Sequence, residues 1–197
     1  MRFLRRSLKS QLKNLDRKIQ LATDRFVATH LIRAGQLCAS AGDLAGALQY
    51  YGRAVDAYLS IGHGREAEIL CRKIITLKPE VVRARRTLAL ILLGRGELPR
   101  AAEQVREYVA AARAAGQVDL AVRQLRLMAE LTHDERLREN LLAQCRELGA
   151  VIGADAPMAP GVGQKTLDDD AGRWMNAMRL AMTSPEEINR IWAAAAN

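Results

Sequence analysis

Two six-residue stretches decide the fold: Gly62-His63-Gly64-Arg65-Glu66-Ala67 and, further along the chain, Gly96-Glu97-Leu98-Pro99-Arg100-Ala101. Each sets a glycine at a helix break and, five residues on, an alanine on the first apolar turn of the next amphipathic stretch. The phrase also occurs as Gly42…Ala47 and Gly116…Ala121. The glycine breaks one helix and the next begins directly after it. An alanine one turn into the next helix lets two backbones approach closely. The spacing therefore predicts a series of helices joined by tight turns. Recurrence at a period of about 34 residues, as between Gly62 and Gly96, is the mark of stacked helical hairpins.

Composition supports an all-α chain. Of 197 residues, 49% are apolar but only 4% aromatic, and no alternating run of strand length interrupts the helical periodicity. The reading by elements is a first helix within 1–25, then His30 to Ser40, and then a helix capped by Asp43. Arg65 to Leu77 follows, halted by Lys78-Pro79-Glu80, because a proline disfavours helix at the residue before it. Next come Val82 to Leu93, Pro99 to Ala114 and Val118 to Leu131. A last helix of this body ends near Gly149, opened by the capping-box spacing of Thr132 and Glu135.

Around Gly62 and Gly96 a longer pattern holds. The stretch 48–81 carries Tyr51, Ala54, Val55 and Tyr58 on its first helix, then Ala67, Cys71, Ile74 and Pro79. The stretch 82–115 carries Arg85, Leu88, Ala89 and Leu92, then Gly96, Ala101, Val105 and Tyr108. This order of large and small residues resembles the tetratricopeptide repeat. The resemblance implies a solenoid of about seven antiparallel helices over 26–149 that binds another protein or peptide in a groove. Two repeats are regular and the ends are not. The unit turning at Gly42 overlaps its neighbour, and Asp119 and Arg126 stand where the family has large apolar residues.

In the family register the groove positions hold Gln49, Gly52, Asp56 and Leu59, then Arg83, Arg86, Leu90 and Leu93. Relatives that clamp a peptide's terminal carboxylate use lysine and asparagine there. These positions hold two arginines and no asparagine, so that activity is not carried over. Arg83 and Arg86 become candidates for pairing with acidic side chains of a ligand, and Gln49, Asp56 and Leu90 for lining the groove.

The termini differ from the body. Residues 1–25 contain eight Lys/Arg against Asp16 and Asp24, so most of the net charge of +8 resides there. Leu8, Leu12, Leu15, Ile19, Ala22 and Phe26 form a heptad-like seam. Such a basic amphipathic helix either packs on the solenoid, pairs as a coiled coil, or lies on an anionic membrane, with nucleic acid the least favoured partner. Residues 150–167, rich in Gly and Pro, read as a flexible linker. Residues 168–197 read as a helical pair bearing Trp174, Met178, Ile188 and Trp192. These could dock into the chain's own groove, serve as ligand for another protein, or cap the solenoid.

Nothing points to catalysis. His30, His63 and His133 lack neighbouring ligands at helical spacing, and Cys38, Cys71 and Cys145 stand alone. There is no phosphate-binding loop. The expectation is therefore a cytoplasmic adaptor without cofactor or metal.

Overall fold

The computed structural model describes residues 2–22, 24–132 and 134–152. The linker after Ile152 and the helical pair with Trp174, Met178, Ile188 and Trp192 lie outside the described residues. Among the described residues there are eight helices and no strand: α1 (Arg2–Leu21), α2 (Asp24–Ser40), α3 (Leu44–Ser60), α4 (Gly64–Leu77), α5 (Val82–Gly94), α6 (Leu98–Ala114), α7 (Val118–Leu131) and α8 (Glu135–Ile152). They fall into two compact units, α1–α4 and α5–α8, divided after Pro79.

Four of the connections are copies of one device. Gly42, Gly62, Gly96 and Gly116 have φ of 76°, 76°, 70° and 67°, a left-handed backbone no other residue type adopts as readily. In each, the glycine N–H donates three residues back and the next N–H donates five residues back, as in Gly62 to Leu59 (3.1 Å) and His63 to Tyr58 (2.8 Å). These are the two bonds of a Schellman cap, which satisfies carbonyls the helix end would otherwise leave open. The residue after each glycine then serves as N-cap of the following helix, so one short turn closes one helix and opens the next. The alanine five residues past each glycine is fully buried at all four sites.

Only Asp43 adds a side-chain cap, its Oδ1 accepting from the Gly46 N–H at 2.9 Å. Asp43→Ala should therefore cost about 1 kcal/mol in urea denaturation. His63 at the equivalent place of the next turn caps nothing with its side chain. His63→Ala forfeits a stack on Tyr58 (ring centroids 6.0 Å apart) and an exposed contact with Glu66, a smaller loss.

The glycines disclose a longer register than the hairpin period. Helices α3 and α6 are both 17 residues long and α4 and α7 both 14 residues long. The step from Leu44 to Leu98, where the first pair begins, equals the step from Gly64 to Val118, where the second does. Core positions follow suit. Tyr51 and Val105, Val55 and Val109, Cys71 and Leu125, and Ile74 and Met128 are buried in both copies. The repeating block is thus three helices, α2–α3–α4 and then α5–α6–α7. Packing within the two blocks is not identical: α3 packs broadly on α4, whereas α6 meets α7 sparingly and α7 packs chiefly on α8.

In the first unit α1 lies on α2, α2 on α3 and α3 on α4. Leu15 and Ile19 of the α1 seam are buried and Leu8 and Leu12 half-buried, so the seam is used within the chain. Phe26 is not part of it. Helix α1 ends at Leu21, and Phe26 stands 56% exposed on the first turn of α2. Tyr51 is the centre of this unit: a Cβ on Gly35 of α2 would come within 2.7 Å of its ring, and the Lys73 Nζ of α4 sits 4.6 Å from the ring centroid.

In the second unit α5 and α6 form one close pair and α7 and α8 another, with α6 touching both members of the latter. The cap of α8 is Asp134 rather than Thr132: Asp134 Oδ1 accepts from the Leu137 N–H at 2.7 Å, while Thr132 Oγ1 accepts from the Asp134 N–H. Helix α8 continues through Gly149 to Ile152, past the expected start of the linker at 150.

Candidate partner-binding surface

Because Tyr51, Ala54 and Val55 turn α3 inward, Gln49, Arg53 and Asp56 face outward, and all three are exposed. Gln49 and Asp56 are two turns apart on one stripe. Between them a Cβ added to Gly52 would meet nothing within 4 Å, so the helix backbone is open to approach there. The Arg53 guanidinium carbon lies 5.7 Å from the centroid of the Tyr50 ring. Tyr50 in turn donates its hydroxyl to Asp16 of α1, at 3.0 Å and 3.2 Å to the two carboxylate oxygens. Partial burial, followed by the Asp16 hydrogen bond and charge, pushes the Tyr50 hydroxyl above its usual pKa. The stripe is therefore polar, with a fixed aromatic at its edge, and suits hydrogen bonding to an extended or helical segment.

The second group of sequence candidates is placed differently. Arg83 is exposed, but Arg86 (8% exposed) and Leu90 (1%) are interior, as is Leu93. The groove face expected on α5 is consequently occluded beyond its first turn. The physical reason is compositional. From Leu88 to Leu93 every residue is apolar, and a helix apolar on all sides must be covered on all sides. Arg85, expected at a large apolar position, instead reaches Glu107 of α6 with Nη1–Oε2 at 3.0 Å while its own side chain is mostly buried. Arg86 lies near enough to Tyr108 for its charge to oppose the upward push that burial gives the tyrosine pKa.

Comparison with family models, curated proteins and solved structures finds no match for this chain. Its chemistry must be read from its own residues. Among the described residues no cluster of His, Cys, Asp and Glu could hold a metal ion. The three cysteines are buried and none is in a disulfide. Burial raises the thiol pKa of Cys38 and Cys145, which keeps these thiols in their inert protonated form. His63 Nδ1 stands 3.7 Å from Glu66 Oε1 on an exposed turn. Among the described residues no helix is long and apolar enough to cross a membrane.

Gln49, Asp56 and Arg83 are thus on the exterior, whereas Tyr50, Arg53 and Asp16, which adjoin the α3 stripe, are not singled out by sequence reasoning. No spacing rule joins Asp16 to Tyr50, because the two meet only through the packing of the first unit.

Proposed function

We propose that the chain is a tetratricopeptide-like helical-repeat adaptor of the cytoplasm that binds a protein or peptide on the outward face of α3. The observation that carries the reading is the repetition of one turn at Gly42, Gly62, Gly96 and Gly116, each setting a buried alanine on the next helix. Serial helices of this kind present long surfaces suited to recognising another chain. The α3 stripe of Gln49, Gly52, Arg53 and Asp56 supports it as the contact; Arg83 belongs to the second unit and is a separate candidate for an acidic ligand. The tryptophans Trp174 and Trp192 are anchors of the type that dominate interfaces, either for a partner or for docking in cis.

The test is capture of a partner from native lysate by the full chain at moderate and high salt, with substituted variants alongside. Gln49→Ala with Asp56→Arg should weaken capture at least tenfold, and Trp174→Ala or Trp192→Ala by about 30-fold if that residue is the anchor. Undiminished capture by every variant would overturn the reading.

A further inference from the structure

Helix α1 presents a second surface that the adaptor reading does not use. Its buried side holds Leu15 and Ile19, so the opposite side faces away from the unit. There Lys9, Lys13, Arg17 and Leu21 succeed one another at intervals of four, a single ridge along the helix. At the helical rise this ridge spans about 18 Å. All four side chains are exposed, and Leu21 is exposed by 78%. Lys18 adds a fourth exposed cation at the flank.

Two further features give the ridge its character. The one carboxylate of α1, Asp16, is bound by the Tyr50 hydroxyl, and among the described residues no ion pair joins Lys9, Lys13, Arg17 or Lys18 to an acid. The ridge therefore carries four cations that no carboxylate pairs among the described residues, against the single Asp16 carboxylate of the helix. It ends at the α1–α2 corner, where Leu21 and, just after the break, Phe26 both protrude. Exposed large apolar residues beside cations outside any ion pair are the two components that interfacial binding combines: attraction to anionic headgroups and shallow insertion of apolar side chains.

We infer that the outer face of α1 and the Leu21/Phe26 corner form a docking surface for an anionic lipid bilayer. The protruding leucine and phenylalanine favour a bilayer over a nucleic acid, whose backbone would engage the cations and leave Leu21 in water. The mode differs from that of a free amphipathic helix. The apolar seam of α1 is already occupied by α2 and stays there, so the chain lies on the surface with only the corner inserted. Binding is then reversible and strongly dependent on salt. Each cation near an anionic surface contributes roughly a fivefold gain in partitioning. Raising salt from about 0.1 M to about 1 M shortens the screening length from about 10 Å to about 3 Å and should abolish most of it.

The experiment is co-sedimentation of the full chain with vesicles of phosphatidylcholine alone and with vesicles that also contain phosphatidylserine, at low and high salt. The expected result is binding to the anionic vesicles only, reversed by salt. Lys9→Glu, Lys13→Glu and Arg17→Glu together should reduce it about a hundredfold or more. Leu21→Ala with Phe26→Ala should reduce it about tenfold at constant charge. Both variants change exposed side chains, so circular dichroism should show native helicity. Equal binding to both vesicle types, no binding to either, or unaltered binding by both variants would overturn the inference. So would tighter binding of a single-stranded RNA or duplex DNA probe than of anionic vesicles at the same salt. Partner capture through α3 is read out separately and does not bear on this result.

Discussion

Tyr51→Ala should destabilise the first unit by about 3–5 kcal/mol in equilibrium urea denaturation, the largest effect of any single truncation there. Tyr51 is 1% exposed, and it is the residue through which three helices meet. On the α2 side its ring fits against Gly35, where a Cβ would stand 2.7 Å and 2.8 Å from two ring carbons. From the α4 side comes the Lys73 ammonium at 4.6 Å from the centroid, a cation–π contact. Removing the ring leaves a cavity bounded by rigid helix backbone on one side, so little of it can collapse. Gly35→Ala tests the same contact from the other partner. Alanine would gain up to about 1 kcal/mol as a better helix former, but the clash with a ring that cannot retreat should cost about 1–3 kcal/mol. The net should be a loss. Tyr51→Phe keeps the ring and should change stability by less than about 1.5 kcal/mol. If Gly35→Ala stabilised the chain, the close approach of α2 and α3 would not be what holds this unit together.

The same contact shows why the helices are legible in the sequence and their faces less so. Turn chemistry is local. Gly42, Gly62, Gly96 and Gly116 announce themselves because a left-handed residue five positions before a small one has few other uses, and α7 begins and ends at Val118 and Leu131 as its pattern predicts. The α1–α2 break has no such residue. Between Leu21 and Asp24 the sequence offers neither glycine nor proline, so the apolar seam reads straight through to Phe26. Helix α5 misleads for the opposite reason. Periodicity selects a face only when the other faces are polar, and Leu88 to Leu93 offers no polar side. Arg86, a groove residue by analogy, lies in the interior by packing. The three-helix register is hidden by the spacing of the glycines themselves. They succeed one another at a short, a long and again a short interval. The long step from Gly62 to Gly96 therefore stands out as a hairpin period, although the recurring block is a short and a long interval taken together.

That register also bears on how function is distributed. The two copies share buried positions, but the chemistry of the outward stripe on α3 is not kept on α6. Where α3 has Gln49, Arg53 and Asp56, α6 has Glu103, Glu107 and Ala110, and Glu107 is engaged by Arg85. A surface that recognises one partner does not need to be doubled, whereas a core must be. The outward stripe changes in charge while the inward one stays buried in both copies, so the blocks share a scaffold and differ in what they present.

Alkaline pH should weaken the fold through Tyr108. Its side chain is fully buried, its hydroxyl has no hydrogen-bond partner among the described residues, and burial pushes its pKa up to about 12. The charge of Arg86 opposes the shift without cancelling it. An unfolded tyrosine ionises near pH 10. Between about pH 10 and 12 the unfolded chain therefore holds fewer protons than the folded one, and stability falls as pH rises. Below about pH 10 both states keep the proton and the contribution is constant. The loss over that window should approach about 2–3 kcal/mol, as the distance between the two ionisations implies. Tyr50, Cys38 and Cys145 are also shifted upward and add a smaller slope of the same sign. Tyr108→Phe separates the contributions. It removes a buried hydroxyl that gains no bond, so at neutral pH it should raise stability by about 1 kcal/mol. At alkaline pH it should leave only the shallow residual slope. A variant that lost stability at neutral pH would mean that the hydroxyl is hydrogen-bonded after all, and an undiminished alkaline slope would assign the ionisation to the other groups.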